Sequence, residues 1–484
     1  MKHQNKERRY NCITTIASAV LIVLIFLPEV SGNTPAAGSA AKAEWNLWRG
    51  PNRNGISDET DWDPAFLKKP LKLNWKIKVG AGFSSVSISG NNLYTMGYDG
   101  RTGANTIFCL AAETGKKVWS YSYRSYSSRE WMDGDKASKY GDHMGPRSTP
   151  VVFENKVYTF GQDGDILCND ALTGKLIWHR QVLRELDAFP PTWMFSSSIH
   201  IEGKMAVVNA GHAGLALNRE NGEIIWFNGK GIGNYSTPVA YEANGKARLA
   251  IFGQESLYGI DPDSGKILWD YPWKTNISVN GADPVVWKSG ILLIISIYEA
   301  GCALIDVSTD SPVTLWRNKN LKTQYKTPVL IGDYIYGIDQ TADAPGKISC
   351  IDIKNGSVRW SVPFAIEPGL TAANGYLIVL NERGDLRIVK ASPAKYTEIS
   401  AKSRILSQSC ITAPVLCRSS IFIRNSKGDL ISIDASYKRV FGLRNLYYSF
   451  VHKATVFKSL LNDLYNIYLN FRWATFKNIN KLIN

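Results

Sequence analysis

"DPDSGKILWDYP", residues 261–272, sets an aspartate, a Ser-Gly pair and a lysine ahead of two aliphatic residues and a tryptophan. The same order returns in "LAAETGKKVW" (110–119), "NDALTGKLIW" (169–178), "LNRENGEIIW" (217–226) and "IDIKNGSVRW" (351–360), and more loosely in "IDVSTDSPVTLW" (305–316). The tryptophans Trp75, Trp119, Trp178, Trp226, Trp269, Trp316 and Trp360 mark a period, with a degraded counterpart near Ile399. Counting Ile399, most spacings run from 39 to 48 residues and one is 59. A period of roughly 40–50 residues belongs to propeller blades or to helical arrays. Segments such as "KVYTFG", "GILLIISI" and "GYLIVL" are short, rich in β-branched and aromatic residues, and bounded by Gly, Asn and Asp. They lack a helical period, so they read as strands.

A second marker opens each unit: "SSVSI" (84–88), "STPVV" (148–152), "SSSIHI" (196–201), "STPVA" (236–240), "ADPVV" (282–286), "KTPVL" (326–330), "LTAANG" (370–375) and "TAPVL" (412–416). Eight starts imply eight units of four antiparallel strands, each with a tight Gly turn before its tryptophan strand; glycine takes positive φ there at little steric cost. The last unit runs through Asp434 without a tryptophan strand, whereas "LKLNWKIKVG" (71–80) is a tryptophan strand with no unit before it. The orphan therefore completes the last sheet. The reading is all-β: an eight-bladed propeller closed by an N-terminal strand, which leaves no open edge between the chain ends. The tryptophans read as packing plugs between blades rather than as ligand platforms.

The chain divides into a leader with a small-residue spacer (1–43), a lead-in (44–70), the propeller (71–436) and a basic aromatic tail (437–484). In the leader a basic stretch, an apolar run from Ile13 to Leu27 and the small residues of "VSGNTPAAGSAAKA" (30–43) follow the order of a secretory signal. The expected location is the periplasm or cell envelope. Membrane contact is expected only through an uncleaved signal or the tail, where Phe450, Phe457, Leu461, Leu464, Tyr468 and Phe471 recur at helical steps.

The net charge of +14 is concentrated at the ends: eight Lys/Arg against Asp463 in the tail, and five against two Glu in the leader. The body, with 43 basic and 39 acidic residues, is nearly balanced. That argues against a nucleic-acid groove. Cys109, Cys168 and Cys350 stand ten residues before a repeat tryptophan and Cys302 fourteen before Trp316, one unit apart from each other and too far for disulfides. Cys410 and Cys417 read as seven apart on one strand, and no disulfide framework is expected.

The repeat resembles that of the pyrroloquinoline-quinone-like propellers, the architecture of quinoprotein alcohol dehydrogenases and of the outer-membrane assembly propeller lipoprotein. "WNLWRGPNRNGISDET" (45–60) is similar to the W-R-G-P opening of an exported bacterial branch of that superfamily. The resemblance implies a fold, not a chemistry. For a dehydrogenase it implies adjacent cysteines over the quinone and a Glu, Asn and Asp set for calcium; no two cysteines here are adjacent. Neither cofactor nor metal is expected. Pyrroloquinoline quinone with calcium stays as the alternative.

The longest connections, 120–148 and 179–195, join early blades on the rim expected to surround the channel, and loops carry function more often than scaffold. The candidate binding surface is Trp131, Asp142, His143, Arg147 and Trp193 from these loops, with Tyr235, Asp283 and Lys326 at strand starts; Asn234, Asn280 and Tyr325 accompany them. Asp283 is the one acid at a position held elsewhere by Ser or Thr, which fits an acid bonding backbone amides. There is no G-x-S-x-G, H-E-x-x-H or C-x-x-C motif. The expectation is a monomeric, non-catalytic envelope scaffold binding a protein or small ligand. A quinoprotein oxidoreductase and a glycan-binding propeller are the alternatives.

Overall fold

The computed structural model describes residues 43–125, 145–297, 300–341, 344–364, 369–407 and 409–437. Trp131, Asp142 and His143, and the helical reading of the tail, lie outside them. The described residues form eight four-stranded antiparallel blades with a single five-residue α-helix, Val182–Leu186. Blade 1 comprises Ser87–Ser89, Asn92–Asp99, Ala104–Ala111 and Lys117–Arg124, and blades 2 to 7 follow in chain order. Blade 8 takes Val415–Cys417, Ser420–Arg424 and Asp429–Asp434 from the end of the propeller and Leu73–Lys78 from its beginning. The pairing that closes the ring is antiparallel, with Trp75 opposite Ser432 and Lys78 opposite Asp429.

The repeated motif is explained by what each blade does to the next. The indole N–H of Trp119 donates to the Ala171 carbonyl of blade 2 at 2.9 Å, Trp178 to Arg219 of blade 3 at 3.0 Å, and Trp226 to Pro262 of blade 4 at 2.7 Å. Trp316, Trp360 and the closing Trp75 repeat the bond to Ile353, Ser392 and Ala112. In every case the acceptor lies in the turn that carries the next unit's glycine or its counterpart. That glycine lies against the same indole: a Cβ built on Gly174 would stand 2.6 Å from Trp119, and one on Gly265 2.5 Å from Trp226. Both glycines also have positive φ, +74° and +72°. The Asp–x–x–Thr–Gly turn and the tryptophan are thus two halves of one joint between blades.

Two departures prove instructive. The loose turn of blade 5 offers no glycine, and Trp269 on blade 4 donates instead to Tyr241 Oη within its own blade, at 3.1 Å. In blade 7 the residue opposite Ile388, where other blades put tryptophan, is Ser400 and not Ile399, which falls in the bulge. The missing ring comes from the lead-in. Trp62 is fully buried among residues of blades 7 and 8, edge-on to Tyr376 at 6.0 Å, and the Ser400 hydroxyl donates to the Pro64 carbonyl at 2.6 Å.

The six cysteines among the described residues are buried and free. Cys109, Cys168 and Cys350 lie opposite a repeat tryptophan, where a small apolar side chain leaves room for the indole. Cys302 pairs with Asn318, so the position equivalent to those three is Leu304, opposite Trp316. Cys410 precedes the first strand of blade 8 and does not share it with Cys417.

Candidate functional site

The first strands of the blades stand around the axis, and a ring of side chains ties their starts together. The Ser85 amide donates to Thr149 Oγ1, the Thr149 amide to Ser198 Oγ, and the Ser198 amide to Thr237 Oγ1, at 3.0–3.1 Å. The Thr237 amide donates to Asp283 Oδ1 at 2.7 Å, and the Asp283 amide to Thr327 Oγ1 at 2.8 Å. Asp283 therefore occupies a hydroxyl's place in a chain of inter-blade bonds. Its second oxygen accepts the Trp48 indole N–H at 2.7 Å. Burial raises the Asp283 carboxyl above its usual range, against the pull of Arg49 and these hydrogen bonds.

Trp48 belongs to a segment whose role the sequence did not disclose. Residues 45–59 thread the centre of the ring and touch blades 1, 2, 3, 5, 6, 7 and 8. Trp45 exchanges backbone bonds with Ile88, and the Val152 amide donates to the Asn46 carbonyl. Arg49 donates to the Pro328 carbonyl at 2.6 Å and Arg53 to that of Ile201 at 2.7 Å. The chain reverses between Gly50 (φ +88°) and Gly55 (φ +76°); a Cβ on Gly50 would strike the Trp45 ring at 2.8 Å. It leaves as Ile56–Ser57, a parallel fifth strand on blade 7, and the Glu59 carboxylate then accepts amides of the Arg418–Ser419 turn.

This plug floors an axial cavity of about 350 Å³. Arg147, Trp193, Tyr235, Asp283 and Lys326 all line it, so the described candidates from two loops and three strand starts converge on one place. Tyr325 joins them, as do Trp48 and Arg49 of the plug. Asn234 and Asn280 do not. Both are fully buried and spend their amides on loop carbonyls, Asn234 on Gly253 at 2.7 Å and Asn280 on Gly253 at 3.0 Å. The connection 179–195 is not a plain loop: it holds the short helix, capped by Gln181, and Ala188–Phe189, which pairs in parallel with Gly231–Ile232.

The described lining carries three cationic side chains, Arg49, Arg147 and Lys326, and is partly aromatic. Burial lowers Arg49 to about 10, with Asp283 opposing the shift. Burial also lowers Arg147 to about 10, opposed by Tyr235 and Asp163. Both stay charged near neutral pH. The Lys326 ammonium donates to the Ile411 carbonyl and lies 4.5 Å from the centre of the Tyr325 ring. Trp193 and Tyr235 form a corner, ring centres 6.2 Å apart and planes at 51°, held by the Tyr235 hydroxyl accepting the Trp193 amide. Burial pushes the Tyr235 phenol up to about 12.

A quinone and calcium fit this lining poorly. Calcium takes six to eight oxygen ligands. Among the described lining residues Asp283 is the one carboxylate, and both its oxygens accept protein N–H groups. None of the described cysteines lines the cavity.

The sequence family described as outer membrane protein assembly factor BamB matches residues 106–362, just over half of the chain. A protein of that description from Burkholderia pseudomallei is 27% identical over 279 residues, which cover 53% of this chain and 61% of the relative. The match thus spans less than two thirds of that relative's length. Among solved structures, BamB from Moraxella catarrhalis superposes with a TM-score of 0.55 at 14% identity, covering 77% of this chain and all of that one. The quinohemoprotein alcohol dehydrogenase from Comamonas testosteroni superposes at 0.60 and 12% identity, covering 83% and 82%. At such identities the structural likeness establishes the propeller alone.

Proposed function

Since this chain belongs to the propeller family described as outer membrane protein assembly factor BamB, we propose that it is a non-catalytic scaffold of the bacterial cell envelope whose work is to dock a protein partner of outer-membrane assembly. The observation that carries this reading is the engagement of Asp283. Among the described lining residues the one carboxylate serves as a structural acceptor for Thr237 and for the plug, an engagement that suits a structural role better than that of a base or a metal anchor. A general base needs hydrogen-bond reach to a substrate proton. The arrangement instead spends its polar groups on rigidity, which suits a platform for loops. The basic and apolar N-terminal stretch supports export.

The test has two arms. Deleting the gene in its host should lower the amount of folded β-barrel protein in the outer membrane, and restoring the full chain should recover it. Purified chain given pyrroloquinoline quinone, calcium and an artificial electron acceptor should oxidise no alcohol or sugar. Unchanged outer-membrane protein, or turnover with quinone, would overturn the proposal.

A further inference from the structure

The plug meets blade 3 beside a group that can change its charge. His200 and Glu202 stand two apart on the first strand of that blade, His200–Glu202, and so share a face. The His200 ring is fully buried, and its Nε2 lies 3.0 Å from the Glu202 carboxylate. That contact puts the proton of the neutral ring on Nε2, since a carboxylate only accepts. The other nitrogen, Nδ1, makes no hydrogen bond, and the Pro238 carbonyl at the start of blade 4 lies close enough to favour a proton there.

Arg53 brings a cation to the same spot. Its guanidinium donates to the carbonyl of Ile201, the residue between the pair, at 2.7 Å, and its backbone, at φ +53°, helps reverse the plug. The hydrogen bond from His200, with Arg53 adding to it, holds the Glu202 carboxyl below its usual range. Burial lowers the His200 ring from its usual value, Glu202 opposes that shift and Arg53 adds to it. Near neutral pH the ring is therefore uncharged and the carboxylate balances Arg53. Among the described residues no other charged group acts on His200: its partner on the second strand is Val207, and blade 4 offers it the Pro238 carbonyl.

We propose that His200 is an acid-sensitive latch on the plug: a proton arriving at Nδ1 turns the ring into a second cation beside Arg53, the two compete for Glu202, and the turn 49–55 loosens from blade 3. The seated turn binds this proton less readily than the loosened one, so acid favours loosening and rising pH reseats it. The segment stays tethered by Trp48 on Asp283 and by Ile56–Ser57 on blade 7, so the turn opens and the rest of the plug does not. This goes beyond the scaffold function and does not rest on it.

Hydrogen exchange of the full chain, read by mass spectrometry over 45–59 and corrected for the intrinsic rate, tests this at about pH 7.5 and about pH 5, either side of an ordinary histidine titration. The amides of Arg53 and Gly55, bonded to the Gly50 and Arg49 carbonyls, are expected to lose protection in acid by at least about fivefold, the low end of ordinary coupling between two sites. His200→Gln keeps a donor toward Glu202 and cannot take up the proton, so protection over 49–55 should no longer change with pH. Asp283, another titratable partner of the plug, is untouched by that substitution, so an acid effect that persists in the variant overturns the proposal. Equal protection at the two pH values in the unaltered chain does the same. Arg53→Gln gives a second measure should His200→Gln fail to fold. With the cation gone, the His200 ring, followed by its NMR signal, should titrate at higher pH, and an unmoved titration overturns the proposal. None of these results bears on the outer-membrane protein readout, so the two proposals fall separately.

Discussion

Replacing Gly265 with alanine separates the two demands that the repeat places on its glycine. Gly265 and Gly245 share a φ of +72°, but a Cβ on Gly265 meets the Trp226 ring at 2.5–2.6 Å while one on Gly245 meets nothing within 4 Å. Left-handed backbone costs a residue with a Cβ about 1–2 kcal/mol, and the stiffer unfolded chain returns about 0.4–1 kcal/mol. Gly245→Ala should therefore destabilise by ~1 kcal/mol. Gly265→Ala carries the same strain and also drives a methyl group into a packed ring, an overpacking cost of about 1–3 kcal/mol. Its total should reach about 2–4 kcal/mol. Urea unfolding, followed by circular dichroism and by tryptophan fluorescence, reads the difference between the two variants. Adding Trp226→Ala removes the obstacle, so in that background the excess cost of Gly265→Ala should vanish. Equal losses for the two single variants, or an excess that survives without the indole, would refute the joint between turn and tryptophan.

Trp62→Ala should cost about 3–5 kcal/mol, the range for emptying a buried large aromatic site, although Trp62 stands outside every repeat; a loss under about 1 kcal/mol in thermal or urea unfolding would contradict its role as the seventh blade's ring. The Asp283 carboxyl is raised above its usual value by burial, so the folded state holds that proton to higher pH than the unfolded chain. Its contribution is most favourable below the unfolded pKa of about 3.9 and declines as pH climbs through the raised folded value. Asp283→Asn should flatten that part of the stability–pH curve, and an unchanged slope would count against the assignment. Arg424→Met should cost at least about 1–3 kcal/mol, the penalty for leaving buried carbonyls without the donor that satisfies them. Its guanidinium spans the closing seam and donates to carbonyls of Gly80, Gly82, Ser84 and Met96. Hydrogen exchange should rise first in 73–98 and 415–434, and protection spread evenly over all blades would argue otherwise. Burial pushes the thiols of Cys109, Cys168, Cys410 and Cys417 up to about 12 and those of Cys302 and Cys350 to about 11. A thiol reagent at pH 8 should label none of the six in the native protein within minutes and all of them in urea.

The ring was legible in the amino-acid sequence because its joints are periodic. Most blades repeat one turn and one tryptophan, and the count of orphan strands at the two ends forces closure whatever the loops do. The rim residues could be named for a related reason: each strand start carries its own recurring marker, of the Ser/Thr-Pro-Val kind, so Tyr235, Asp283 and Lys326 could be placed near the axis without coordinates. Asn234 and Asn280 stand just before two of those markers and still turn away, because loop carbonyls of Gly253 claim their amides. Position in the repeat fixes where a Cα stands, not which neighbour satisfies its side chain.

The plug was illegible for the opposite reason. Its partners, Ile88, Val152, Ile201, Asp283, Pro328, Ala372 and the 418–419 turn, come from seven blades, and most of them offer only backbone. Backbone acceptors leave no mark on composition. One mark did exist. A carboxylate at a position that every other blade gives to a hydroxyl or an apolar group implies a second donor beyond the inter-blade amide, and the donor available to a ring's axis is whatever passes through it. As an acid at a strand start, Asp283 reads from the sequence as bonding backbone amides. The indole of Trp48 is the partner that its extra oxygen required, and "WRGP" is the part of the chain short and bent enough to bring an indole there. The departure from the repeat, rather than the repeat itself, was the signal for what fills the channel.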